Sequence, residues 1–161
     1  DVHEEPHVLR GKGSAPFDDE GVLTRARGVV REGVVQGYFL DSYSARKLGL
    51  QSTGNAGGVH NLEVAANAGD LASMARGMGR GLLVTELMGQ GINLVTGDYS
   101  RGAAGYWIEG GEIRYPVQEV TIAGNLAQMY RNIAAIGSDV LVRGSRSCGS
   151  IVVDGMTVAG A

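Results

Sequence analysis

A chain of 161 residues with a net charge of −3 can bury one sizeable core, and it offers nucleic acid or an anionic membrane no bulk electrostatic attraction. Twenty-seven glycines against three prolines argue for many tight turns rather than a disordered or collagen-like chain, and one cysteine, Cys148, excludes an internal disulfide and fits a reducing compartment. No apolar run reaches the ~20 residues of a membrane-spanning helix and no signal peptide is visible, so the expected location is the cytoplasm.

The chain opens on DVHEEPHVLRG, whose residues 3–7 match the H-E-x-x-H pattern of zinc peptidases. That pattern works only on a helix, where two His one turn apart face one metal. Pro6 lies between His3 and His7, where it removes a backbone donor and clashes with the preceding turn, so an extended entry segment is expected instead. Residues 28–40 place apolar side chains on both sides of Glu32-Gly33, which predicts a β-hairpin. A short helix is expected over 42–49, and a second from an Asp70 N-cap to the glycines at 77 and 79. Residues 81–91 read as a largely buried strand.

A second hairpin is expected over 104–117 around Gly110-Gly111, and 116–124 reads as a further strand. Residues 125–137 predict the strongest helix, with Asn125 as N-cap, an apolar stripe from Leu126 to Ile136, and Gly137 as left-handed C-terminal cap. Residues 149–160 predict a third hairpin around Asp154-Gly155. The expected fold class is α+β: mainly antiparallel sheet, a hairpin-rich sandwich or barrel-like arrangement, with two or three short helices in one domain over 1–161. The chain lacks an initiator Met and begins on what reads as a loop, so it is expected to be the carboxy-terminal domain of something longer.

The least ordinary stretch is MGQGINLVTGDYSRGAAGYW, residues 88–107. Its five glycines let backbone approach a partner closely, and Gln90, Asn93, Thr96, Asp98, Tyr99, Ser100 and Arg101 could orient a ligand. Tight turns joining two strands would read the same way. It is no phosphate loop: G-x-x-x-x-G-K-[ST] is absent, and GMGRGL misses G-x-G-x-x-G at its last position. Ser44 to Lys47 match S-x-x-K of acyl-serine enzymes, but no S-D-N element follows, and no nucleophile elbow supports a triad of Ser100, His60 and Asp98. Arg76, Arg80, Arg143 and Arg146 are local basic spots that fit solvated surface better than a phosphate track.

Taken together, PHVLRGKGSAPFDDEGV, YSARKLGLQSTGNAGGVHNL, the block from Val84 through GQGINLVTGDYSRG to Leu126, and CGSIVV resemble the carboxy-terminal portion of PmbA/TldE-type members of the TldD/TldE metallopeptidase family, once called modulators of DNA gyrase. The resemblance runs over nearly the whole chain. It implies a heterodimer in which a TldD-like subunit carries zinc on an H-E-x-x-x-H helix, with a Cys near its carboxy terminus as third ligand. Such an enzyme cleaves unfolded peptides, including peptide-antibiotic precursors and antitoxins. The PmbA/TldE-type subunit lacks the His-bearing helix and is implied to be non-catalytic and channel-forming.

GQGINLVTGDYSRG looks like the PmbA/TldE form, and no H-E-x-x-x-H occurs. Cys148 falls where the catalytic subunit has its zinc Cys, but a single thiolate cannot hold catalytic zinc, which takes three protein ligands. The resemblance therefore places zinc in the partner subunit, none in this chain, and assigns Cys148 a metal role by position only. Gln90, Asn93, Thr96, Asp98, Tyr99, Ser100 and Arg101 become candidates for substrate or interface contact. An alternative from another class is a non-proteolytic binding protein acting on gyrase or another regulator, which the acidic balance does not favour.

Overall fold

The computed structural model describes residues 1–160. In chain order the elements are β1 (Val2–Glu4), β2 (Arg27–Arg31), β3 (Val34–Val35), α1 (Ser42–Leu48), β4 (Leu62–Val64), α2 (Leu71–Met78), β5 (Arg80–Met88), β6 (Asp98–Glu109), β7 (Glu112–Asn125), α3 (Leu126–Arg131), β8 (Ile133–Ile136), β9 (Leu141–Arg143), β10 (Arg146–Cys148), β11 (Ile151–Val153) and β12 (Thr157–Ala159). They form two compact units, 1–66 with 140–149 and 67–139 with 150–160. The α+β, mainly antiparallel expectation holds, in open sheets rather than a closed barrel.

The first unit is built on a sheet of order β3-β2-β1-β4-β10-β9, antiparallel except where β10 runs parallel to β4. The opening segment is extended, as Pro6 requires, and pairs with both β2 and β4. The β2–β3 hairpin turns at Glu32 and Gly33, both at positive φ (49° and 77°), the conformation whose twist matches a two-residue hairpin. Helix α1 is capped by Asp41, whose carboxylate accepts from the Ser44 amide, and ends on left-handed Gly49. The buried residues of this unit include Val29, Leu40, Ala45 and Ala56, and with them the polar Glu4, Asp18, Thr24 and Asn55.

The second unit holds an antiparallel sheet of order β12-β7-β6-β5 and a separate β8–β11 pair. Gly110 and Gly111, at φ 63° and 77°, close the long β6–β7 hairpin. All three long strands are irregular at one level: Thr85 bulges from β5, Ala104 is skipped in the β6–β7 pairing, and Glu119 of β7 sits at φ 57°. Gly105 belongs to this feature, since a Cβ there would stand 1.9 Å from the Leu83 carbonyl oxygen. Tyr99, Ala103, Val120 and Ile122 form the core, with Leu82, Val84, Met129 and Met156 packed against it.

Two expectations are corrected. Asn125 does cap α3, but the helix stops at Arg131, and Ile133–Ile136 form β8 instead of continuing the helix to a cap at Gly137. Ile136 pairs with Ile151 and Ile133 with Val153, so β-branched side chains meet across strands where a helix would have crowded them. Gly137 is not left-handed; its amide donates to the Ser150 carbonyl. Residues 149–160 are likewise no hairpin: β11 joins β8 while β12 joins β7, and Asp154-Gly155 is the corner between two sheets. The Asp154 amide donates to the Asn132 carbonyl, and the corner delivers Met156 to the core.

Candidate functional site

The glycine-rich stretch forms a loop, 89–97, between β5 and β6. It folds back on β6: the Ser100 amide donates to the Gly91 carbonyl at 2.7 Å, and the Asn93 amide to the Asp98 carbonyl at 2.8 Å. The approach at Gly91 admits no side chain, since a Cβ would lie 1.7 Å from the Ser100 carbonyl oxygen.

Within the loop the polar side chains bind one another. Asn93 Oδ1 accepts from the amides of Val95 (2.9 Å) and Thr96 (3.2 Å), and the Thr96 hydroxyl donates to Asp98 Oδ2 at 2.7 Å. Asn125, the α3 cap, donates from Nδ2 to the Thr96 carbonyl, and the Leu126 amide donates to the Gly97 carbonyl. The loop is thereby fastened to the helix start. This framework displays Leu94 and Val95, which are 86% and 95% exposed.

The candidate residues thus fall into different positions. Gln90 and Ser100 are exposed, while Asn93, Thr96 and Asp98 hold the loop together. Tyr99 is buried in the core. Arg101 lies on β6 opposite Ile122 and, among the described residues, reaches only the Leu87 carbonyl, at 3.4 Å. Leu94 and Val95 were not among the candidates; the available signal was an apolar pair inside a run of turn-forming residues.

In the first unit the H-E-x-x-H residues serve another purpose. Glu4, 1% exposed, accepts from Arg27 Nε at 3.0 Å, Asn55 Nδ2 at 2.8 Å and the His60 amide at 2.8 Å. Arg27 also donates to the Tyr38 carbonyl and Asn55 Oδ1, and stacks over Phe39. Beside this network, Asp18 accepts from the amides of Glu20, Val22 and Ala56. Burial pushes the Asp18 carboxyl up, but those three amides and the nearby His60 outweigh it and hold it below the usual carboxylate range.

Zinc, the metal that the resemblance implies, does not fit the donors of this chain. His3 on β1 and His7 in the turn that follows it flank Glu5 at 3.9 and 4.0 Å, and the His60 ring nitrogens face the carbonyls of Gly13 and Gly54, both at 3.0 Å. Cys148 sits on β10, its thiol donating to the Gly149 carbonyl. Among the described residues no three His, Cys, Asp or Glu side chains converge on one point.

The PmbA/TldA metallopeptidase C-terminal domain model matches residues 1–160. The chain is 54% identical to the metalloprotease PmbA of Escherichia coli O157:H7, over 99% of this chain and 35% of that protein. Among solved structures it is similar to a putative modulator of DNA gyrase from Bacteroides thetaiotaomicron (TM-score 0.91, 33% identity, 99% of this chain and 36% of that one). It is also similar to TldE from Thermococcus kodakarensis (TM-score 0.84, 25% identity, 99% and 39%). The chain therefore spans little more than a third of the length of these relatives.

Proposed function

The chain belongs to the PmbA/TldA metallopeptidase family, and on that premise we propose that it is the carboxy-terminal part of a PmbA/TldE-type subunit, non-catalytic by itself and channel-forming. It pairs in the cytoplasm with a TldD-like subunit, which holds the zinc, and the pair cleaves unfolded peptides such as antibiotic precursors and antitoxins. One observation carries the reading: the stretch that spells a zinc motif leaves the end of β1 for a turn at Pro6-His7, and its Glu4 is bound to Arg27, leaving that glutamate no part in activating water. This chain's contribution is then a surface. The loop 89–97, hydrogen-bonded to β6 and to the start of α3, offers apolar side chains and glycine-exposed backbone, which suit an extended peptide or a neighbouring subunit.

A solved relative is described as a modulator of DNA gyrase, and the net charge of −3 gives no support to a DNA-facing role.

The test is metal analysis and cleavage of an unfolded peptide, by the full-length subunit alone and after mixing with a TldD-like partner. Zinc and cleavage are expected only in the mixture. Stoichiometric zinc in the subunit alone, lost on Cys148→Ala, would overturn the reading.

A further inference from the structure

Arg101 sits where an arginine is expensive. Strand alternation puts it on the same face of β6 as Tyr99 and Ala103, two residues to either side, and its partner across the β6–β7 ladder is Ile122. Those three neighbours belong to the core of the unit. The guanidinium makes a single long hydrogen bond, 3.4 Å to the Leu87 carbonyl, and Nε is shielded from solvent with no acceptor. Among the described residues it is the one buried side-chain nitrogen or oxygen atom in that condition, and no carboxylate of theirs pairs with Arg101.

Arg27 shows what the same side chain looks like when its partners are supplied from within. Its Nε meets Glu4, its two terminal nitrogens meet the Tyr38 carbonyl and Asn55, and its plane lies over Phe39. Arg101 has none of this. Asp98, three residues away, already accepts from Thr96 as part of the loop framework.

A shielded donor left without an acceptor costs more than an ordinary hydrogen bond returns, and because Arg101 is only half-buried an acceptor from outside can reach its guanidinium. Guanidinium is a planar fork of donors that matches the two coplanar oxygens of a carboxylate, and one guanidinium balances one monoanion. A neutral carbonyl would leave the charge uncompensated, and a phosphate dianion would leave an excess of negative charge.

We infer that Arg101 is a carboxylate-binding residue, which receives either the C-terminal or an acidic side-chain carboxylate of an extended peptide. That the carboxylate comes from a peptide rests on the channel reading above; that Arg101 takes a carboxylate does not.

The experiment follows the Arg101 Nε–H signal in nitrogen–proton correlation spectra of the full-length subunit, assigned by its disappearance in Arg101→Gln. Three short peptides of neutral sequence are titrated: one with a free C-terminal carboxylate, the same peptide amidated, and the amidated peptide with one internal Glu. A saturable shift of the Nε–H signal with the first or third peptide, and affinity about tenfold weaker for the amidated neutral one, is the expected result. Which of the two shifts the signal identifies the source of the carboxylate. Arg101→Lys retains charge but loses the fork, and is expected to bind more weakly than wild type with the rest of its spectrum intact.

An Nε–H signal unmoved by every peptide, or moved equally by the neutral amidated one, overturns the inference. So does an Arg101→Gln chain that retains its spectrum and binds as tightly as wild type. Cleavage by the mixed subunits is scored separately: its failure would remove the peptidase reading and leave a carboxylate-dependent Nε–H shift standing.

Discussion

Glu4 and Arg27 face each other across the β1–β2 pair, and their 3.0 Å contact is the centre of a buried polar network that also engages Asn55 and the His60 amide. Removing the carboxylate leaves a mostly buried cation and two further donors without acceptors. Glu4→Ala is therefore expected to lower the unfolding free energy by about 3–5 kcal/mol in a urea titration. His3→Ala, at a half-exposed ring in the same motif, should stay within about 0.5 kcal/mol of wild type. Comparable losses at both positions would contradict the assignment of Glu4 to the fold.

Asp18 predicts an acid limb. Its carboxyl lies below its unfolded value, so it contributes stability that is complete above about pH 4 and declines as pH falls through the depressed folded value. Asp18→Asn keeps one acceptor oxygen but turns an N–H group toward an amide where Oδ2 had accepted from Ala56. A loss of about 1–3 kcal/mol at neutral pH is expected, with a shallower decline on acidification, both read from denaturation across pH. An acid limb as steep in the variant as in wild type would assign it to other carboxylates.

Gly105 and Gly144 separate steric from conformational glycine. At Gly105 a Cβ would run into the Leu83 carbonyl oxygen within the β5–β6 ladder, whereas at Gly144 (φ 62°) no heavy atom stands within 4 Å of it. Gly144→Ala should cost about 1 kcal/mol through its backbone conformation alone, and Gly105→Ala about 3 kcal/mol through displacement of a strand. Thermal melts of the two variants give the comparison, and equal shifts would refute the distinction.

Leu94 and Val95 are held out by their loop and support nothing beneath them. The double replacement by Ser should leave the melting temperature unchanged within error, since each site contributes less than about 0.5 kcal/mol to folding. The proposed assembly makes the opposite demand, so the same variant should weaken association with a TldD-like subunit by about tenfold or more in a binding titration. Unchanged association would remove this loop from the interface.

Residue chemistry alone settled the features set by neighbours in the chain. Glu32-Gly33 and Gly110-Gly111 make hairpin turns because tight two-residue connections need positive φ at both positions, and Asp70 and Asn125 cap helices because their side chains reach the first amides. Pro6 sufficed to keep the H-E-x-x-H match out of a helix. The cluster of small and polar residues over 88–107 also marked the loop against β6, and its resemblance to a family placed the chain correctly.

Tertiary structure decided whatever depended on a partner far along the chain. Residues 133–136 carry a helical apolar stripe, yet they become a strand because β11, fifteen or more residues later, provides a cross-strand partner that the local pattern cannot display. The same pairing takes β11 away from β12 and turns an expected hairpin into a corner between sheets. In the loop, sequence named the polar residues but not their uses: Asn93 accepts from the Val95 and Thr96 amides, the Thr96 hydroxyl donates to Asp98, and Arg101 is stranded on an apolar face because its ladder neighbour is Ile122. Hydrogen-bond satisfaction belongs to pairs of groups, and the pairs exist only once the strands have come together.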